Sequence, residues 1–397
     1  MELLSPAGNI EKLRYAYHYG ADAAYIGLNG LSLRARADNF TAEQSEEIKK
    51  IKGKKKLYCA LNIYFHPEDI DNLENRIDEL KQFPIDAFII SDIGLLPIMK
   101  KHFPDTDMHL STQANCTNHL AAKTYYDMGF KRIITARELS LNEIKRIKDH
   151  IPELEIEAFA HGAMCLAYSG RCFLSAWMAD RSGNRGACAH SCRWEYRVLE
   201  ERERPGEYYP IEEYDGYTTI MSSQDICMID HLEELKQAGV DSIKIEGRMK
   251  SLYYVAIVSR AYRKALDALD GKPIENLQEY KEELHKVSHR QYSTGFFFGK
   301  RDIEKPADHT MFPPRHIFMG TVGKKEGDNI WQIIPKNKIN VGEELEFIGP
   351  DIIGIKDKSY ILLDSDKNPT DFIAHKREGY IKTDAPLEEG YIIRKSE

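Results

Sequence analysis

Five of the seven cysteines, Cys165, Cys172, Cys188, Cys192 and Cys227, crowd into residues 165–227, while the rest of the chain holds only Cys59 and Cys116. Their spacing is Cys165-x6-Cys172-x15-Cys188-x3-Cys192-x34-Cys227. Structural zinc takes thiolates paired two to four residues apart, and only Cys188 and Cys192 resemble such a knuckle. An iron-sulfur cluster needs four thiolates but is less tied to short pairs. Inert or redox-active thiols are the remaining reading, so spacing alone leaves zinc, cluster and free thiol open. Cys227 lies in SSQDICMIDHLEELKQAG, which predicts a helix start with Ser222, Ser223 or Asp225 as cap; the first-turn amides would then favour a thiolate. The bland alternative is a small buried side chain.

A second set of residues could bind a small anion and a polar ring. Arginine matches a carboxylate with two parallel donors, and Arg34, Arg36, Arg137 and Arg248 all fall just after predicted strands. Asn62, Gln113, Asn115, Glu138, Glu157, His161 and Glu246 stand at predicted strand ends. Of these, His161, Glu157, Arg137 and Glu246 are the catalytic candidates; Arg34, Arg36, Asn62, Gln113, Asn115 and Arg248 are the substrate-binding candidates. Each one alone is as often a solvated rim or a barrel salt bridge. No H-E-x-x-H or G-x-S-x-G occurs. Ser169, His161, His190 and Ser191 could in principle form a nucleophile and base, but isolated Ser and His near a cysteine-rich loop more often support a metal site.

The elements that must position these groups alternate. Short apolar runs at Glu2–Ala7, Ala23–Leu28, Lys56–Ile63, Ala87–Asp92, Met108–Thr112, Arg132–Ala136, Glu155–Ala160 and Ser242–Glu246 predict eight strands. Amphipathic segments such as 9–19 and 67–83 lie between them. Eight βα units in series predict a (βα)8 TIM-like barrel, whose filled interior accounts for strands apolar on both faces; an open doubly wound sheet is the rival. Catalytic groups of such a barrel sit on the loops after the strands. The cysteines begin directly after strand seven, in a connection of about eighty residues, far beyond an ordinary loop. We therefore expect a barrel over 1–272 carrying the cysteine segment 157–227, a helix and linker over 273–315, and a small antiparallel β-barrel domain over 316–397.

The 397 residues are 42% hydrophobic and 30% charged, with net charge −8. No apolar run approaches the length that spans a bilayer, and MELLSPAGNIEKLRYAYHYG has charges where a signal peptide would be apolar; a cytoplasmic protein without membrane association is expected. In a reducing compartment, cysteines serve as metal ligands or catalytic groups more often than as disulfides. The acidic balance excludes a wholly basic nucleic-acid surface but not a local patch. Lys49–Lys56 (KKIKGKKK) closes a helix on the face opposite the cysteines and reads as a solvated end. The C-terminal domain is the better candidate for RNA, through Arg315, Lys324, Lys325, Lys336 and Lys338 among Phe318 and Trp331; a plain packing or oligomer domain is its alternative.

HGAMCLAYSGRCFLS, GNRGACAHSCRWEY and SSQDICMIDHL, with LLSPAGNIEKLRYAYHYGADAAYIGL and IEGRMKS, resemble the collagenase-like peptidase family of unassigned catalytic type over nearly the whole chain. Members of that family hydroxylate tRNA, and relatives modify ribosomal RNA or hydroxylate a quinone precursor. The resemblance implies a 4Fe-4S cluster and hydroxylation that does not draw its oxygen from O2. Prephenate is the implied co-substrate and 5-hydroxyuridine at the tRNA wobble position the implied product. It also implies Cys165, Cys172, Cys188 and Cys227 as the cluster ligands, leaving Cys192 spare and Cys59 and Cys116 as core or pocket lining. A collagenase-like peptidase, an rRNA hydroxylase and a cluster-bearing subunit of a homo- or hetero-oligomer are the alternatives.

Overall fold

Eight parallel strands close on themselves. In chain order they are β1 (Glu2–Pro6), β2 (Ala23–Gly27), β3 (Lys56–Leu61), β4 (Ala87–Ile90), β5 (Asp107–Leu110), β6 (Arg132–Ile134), β7 (Glu155–Ala163) and an eighth, Ser242–Ile245. The eighth strand pairs in parallel with both β7 and β1, with Ser242 beside Glu157 on one side and Glu2 on the other. That double pairing makes the sheet a barrel and rules out the open doubly wound alternative. The computed structural model describes all residues except 29, 34–39, 166, 169, 170, 173, 180, 192–211, 215, 216, 220–223, 300–315 and 397.

Strand composition explains the closure. All five residues of β2 are buried, as are the last five of β3, so both faces of these strands must be covered. Asn9, Ser140 and Ser251 cap the helices Ile10–His18, Leu141–His150 and Leu252–Leu269, each accepting a backbone N–H of the first turn. The helix expected over 67–83 is broken: it runs Pro67–Asn75 and resumes at Ile77–Leu80, because Arg76 leaves the helical conformation at φ −108, ψ 8.

Two expectations change around the cysteines. β7 continues past Ala160 to Ala163, because Asp225–Cys227 pairs antiparallel with its end, setting Cys227 opposite His161. Cys227 is thus on a strand rather than in a first helical turn. The helix that follows begins at Leu232. Asp225 does not cap it; its carboxylate is taken by Arg290, whose backbone N–H and Nε donate at 3.0 and 2.8 Å.

The C-terminal domain is a seven-stranded antiparallel sheet with His316–Gly327 at its centre. Its outer strands, Ile355–Asp357 and Ile361–Leu363, do not pair with each other, so among the described residues it is an open sheet rather than the barrel the sequence suggests. Met319, Val322, Leu345, Phe347, Ile381 and Ile393 form its core. The domain packs on the outside of the barrel against Ile10–His18 and Leu252–Leu269. Tyr19 donates to the Ile348 carbonyl at 2.7 Å, and Phe318 stacks on Tyr253. Glu283 receives two bonds from Arg394, at 2.7 and 2.9 Å, and pairs with Arg260 at 3.3 Å, all three fully buried. Among the described residues no helix is long and apolar enough to cross a membrane.

Candidate active site at the barrel mouth

Polar residues inside the barrel divide into two layers. In the lower layer Arg132 bonds Glu2, Glu155 and Glu157 at 2.6, 2.7 and 3.1 Å, and Lys244 bonds the other Glu157 oxygen at 2.9 Å. Glu157 is completely buried and has its charge balanced on both sides. It stands third in β7, well below the strand end, so the structure moves this catalytic candidate out of the mouth and into a salt-bridge network of the barrel floor. Such a network holds strand register but is weak evidence for chemistry.

The upper layer is the mouth. Arg137, just after β6, lies with its guanidinium 4.0 Å over the Phe159 ring and its Nη2 3.6 Å from the Glu246 carboxylate. Its Nε is buried and has no hydrogen-bond partner among the described residues. The Asn115 Oδ1 and Tyr64 hydroxyl at this end of the barrel are likewise buried and unpartnered. Asn62 accepts from the Leu33 N–H and donates to the Gln113 side-chain oxygen at 3.2 Å, which also accepts from Ser111. Arg248 reaches Ser32 at 3.2 Å beside the Tyr25 ring. Space for it depends on Gly27, where a Cβ would come within 1.7 Å of the Arg248 guanidinium. Arg137, Glu246, Arg248, Asn62, Gln113 and Asn115 are therefore gathered at one end, as expected. Arg34 and Arg36 lie outside the described residues.

The cysteine segment docks on this mouth. Arg171 donates twice to the Gln113 carbonyl, at 2.9 and 3.2 Å, and lies over the Tyr64 ring, while Tyr64 N–H donates to the Asn184 carbonyl. Asn184 in turn accepts from the Cys172 N–H at 3.1 Å. Arg181 bonds the carbonyls of Ala187 and Cys188, closing the turn that carries the next thiol. Tyr64, Arg171, Asn184 and Phe159 were not singled out from sequence. Arg171 had a signal, being adjacent to Cys172, whereas the other three had none.

His161 sits at the junction of mouth and cysteine strand. It is buried among Tyr254, Tyr262 and Tyr292, with ring centroids 5.3 to 6.0 Å away. Its Nδ1 faces the Tyr262 hydroxyl at 3.4 Å, and Nε2 has no partner. Burial drives its pKa down to about 3, so the ring is neutral. The path of β7 past it requires Gly162, at φ +104 with the Glu246 carbonyl 2.4 Å from where a Cβ would stand.

Cys165, Cys172, Cys188 and Cys227 form no disulfide and are half-buried. Burial pushes the Cys227 thiol up to about 11, opposite to the effect expected of a first helical turn. It opens on a cleft of about 290 Å³ shared with Lys281, His285 and Tyr292. Four cysteines on a loop and a strand fit an iron-sulfur cluster in kind, yet among the described residues no three His, Cys, Asp or Glu side chains converge closely enough to hold a metal ion. Cys192 lies outside the described residues, as do Ser169 and Arg315. Cys59 and Cys116 are fully buried core residues.

Of the basic features, the Lys49–Lys56 run does close the helix Ser45–Lys52 at the floor end, where Lys55 bonds the Tyr17 and Ala21 carbonyls. In the C-terminal domain, Phe318 and Lys336 are used against the barrel, Lys336 pairing with Glu11 at 3.0 Å. Lys325 lies over Trp331.

Comparison with known proteins agrees with this architecture. The chain is 38% identical over 393 residues to tRNA hydroxylation protein P of Escherichia coli, covering 88% of this chain and 86% of that protein. It is 35% identical to a collagenase of Porphyromonas gingivalis, over 76% of this chain and 74% of that one. It is 36% identical to a 23S rRNA 5-hydroxycytidine synthase of Escherichia coli, covering 68% of this chain and 40% of the relative. Residues 8–306 match peptidase family U32, and residues 314–394 match the peptidase family U32 C-terminal domain. The barrel with its docked cysteine segment and the sheet domain beside it thus belong together: the chain is a member of peptidase family U32.

Proposed function

We propose that this protein is an RNA-modifying enzyme that hydroxylates the tRNA wobble uridine to 5-hydroxyuridine, with prephenate as co-substrate. A 4Fe-4S cluster held by Cys165, Cys172, Cys188 and Cys227 is part of this reading. The observation that carries it is the docking of the cysteine segment, through Arg171 and Asn184, on a mouth whose buried Arg137 Nε, Asn115 Oδ1 and Tyr64 hydroxyl lack partners among the described residues. Buried polar atoms are nearly always bonded in folded proteins, so three orphans at one barrel mouth mark a place where a ligand supplies the partners.

Within this reading Arg137 and Arg248 take the two carboxylates of the co-substrate, the guanidinium of Arg137 being held in position by Phe159 and Glu246. The Gln113 amide nitrogen, left without a partner among the described residues when its oxygen accepts from Asn62 and Ser111, donates to a pyrimidine carbonyl. The neutral His161 offers Nε2 as a proton acceptor in a site shielded from water by three tyrosines. The cluster, when bound, supplies electron-transfer or Lewis-acid chemistry at the rim. For a peptidase, no observation of comparable weight speaks: His161 faces a tyrosine hydroxyl rather than a serine.

The test is mass spectrometry of nucleosides from total tRNA of cells with and without the gene. Loss of 5-hydroxyuridine on deletion, and its return with the intact chain but not with an Arg137→Gln variant, is the expected result. Unchanged tRNA with altered ribosomal RNA would overturn the substrate assignment.

A further inference from the structure

The C-terminal domain carries an edge that the barrel does not use. Ile339–Asn340 pairs antiparallel with Phe372–Ile373, and this two-stranded ladder stands apart from the main sheet. On its exposed side Lys338 lies 4.3 Å from the centre of the Phe372 ring, and Phe372 is 47% exposed. His375, Lys376 and Arg377 follow in the adjoining turn, all exposed. Lys338, Lys376 and Arg377 form no ion pair among the described residues, in a chain whose net charge is −8, whereas Lys356, Lys367 and Lys395 of the same domain are paired with glutamates. Of the acidic residues adjoining in sequence, Glu378 accepts from the Tyr380 hydroxyl, and the Asp371 backbone carbonyl accepts from the Val341 N–H. Lys376 also holds a left-handed backbone at φ 60. Glycine or asparagine would adopt that conformation at less cost.

The position of this edge relative to the mouth follows from a chain of contacts. Lys336, just before the ladder, pairs with Glu11 in the first turn of Ile10–His18, and its carbonyl accepts from His375. Asn337 bonds the carbonyl of Phe318, which stacks on Tyr253 in the first turn of Leu252–Leu269. Helices that follow barrel strands begin at the mouth end. Lys12, beside Glu11, donates to the carbonyl of Arg248, one of the mouth residues. The basic edge therefore flanks the barrel mouth, held there by contacts to two helix starts.

We propose that the edge formed by Lys338, Phe372, His375, Lys376 and Arg377 is the docking surface for the tRNA whose base enters the barrel mouth. The inference rests on the tRNA-hydroxylase reading. Unpaired cations answer the phosphate backbone, and the exposed Phe372 ring gives an unpaired base a face on which to stack. This assigns RNA contact to a surface other than the Phe318 and Lys336 side of the domain, which is occupied by the barrel.

The test measures binding of full-length protein to unmodified tRNA made in vitro, across a series of salt concentrations. The triple variant Lys338→Ala, Lys376→Ala, Arg377→Ala is expected to weaken binding by about ten-fold or more. It should also flatten the dependence of log affinity on log salt by about two to three, because about one counterion is released per phosphate contact. Phe372→Ala should weaken binding with the salt dependence unchanged. Its thermal midpoint and that of the triple variant should match the parent, since these side chains are exposed, and Lys338→Arg, Lys376→Arg, Arg377→Lys should restore binding. Wild-type affinity and salt dependence in the triple variant would overturn the proposal, even in cells where the intact chain restores 5-hydroxyuridine. An intact chain that binds tRNA through this edge yet restores no tRNA modification would leave the docking surface standing and remove the hydroxylase reading instead.

Discussion

At the scale of single residues, Arg137 is where the most chemistry converges. Its guanidinium is positioned from below by Phe159 and from the side by Glu246, and its Nε is buried without a partner among the described residues. Lysine cannot replace it, because a point charge on a flexible stem lacks the planar pair of donors. If prephenate is the co-substrate, as proposed, replacing Arg137 with Lys should raise the concentration needed for half-maximal hydroxylation by about ten- to a hundred-fold, the equivalent of losing a charge-assisted hydrogen bond of roughly 1.5–3 kcal/mol. A dose response in a prephenate-auxotrophic strain, read as 5-hydroxyuridine, checks this; an unshifted curve would place the carboxylates elsewhere. Glu157 teaches the opposite lesson. Its residue type and its strand suggested chemistry, but its two oxygens are already committed to Arg132 and Lys244. Nothing local to Glu157 shows that, since its partners come from strands 25 and 87 residues away.

At the scale of elements, the helix Leu252–Leu269 carries the connection between domains. Its Tyr253 and Arg260 meet Glu283 and Arg394 in a fully buried ion cluster. Burial favours the neutral form of Glu283, but Arg394 and Arg260 outweigh it and hold the carboxyl below its ordinary value. A carboxyl lowered on folding contributes stability at pH above its unfolded pKa and loses it as pH falls through the lower folded value. Acid should therefore weaken this junction below about pH 4, the ordinary carboxylate range. Glu283→Gln leaves two buried guanidinium groups short of countercharge and should cost roughly 3–5 kcal/mol at neutral pH. In urea unfolding monitored against pH, the parent should lose stability towards acid while the variant, already destabilised, should lose less. Parallel pH profiles would remove Glu283 as the group responsible.

At the scale of the whole molecule, thiols distant in sequence stand on two separate elements, Cys172 and Cys188 on a loop anchored to the mouth and Cys227 on a strand paired with the end of β7. Among the described residues no three potential ligands converge. With Cys165, Cys172, Cys188 and Cys227 as the proposed ligands, Cys172→Ala and Cys227→Ala should each lower the iron and acid-labile sulfide of anaerobically purified protein to less than half, because a 4Fe-4S cluster needs four thiolates. Iron retained in full by Cys227→Ala would point to Cys192 as the fourth ligand. Much of this architecture was readable before any coordinates. Apolar runs at βα intervals determined eight strands and a separate β domain, because burial on both strand faces leaves a periodic mark in composition. The clustering of cysteines after strand seven, and the placing of Asn62, Gln113, Arg137 and Glu246 just beyond strand ends, followed from the same marks. The tertiary structure decided what depends on pairing between distant segments. It made Cys227 a strand residue opposite His161, sent Glu157 to the barrel floor, left the Arg137 Nε without a partner among the described residues at the mouth, and turned one edge of the C-terminal domain towards that mouth. A short segment such as Asp225–Cys227 has no period of its own to read, and a charged side chain gains or loses its chemistry through partners that only the closed barrel brings within reach.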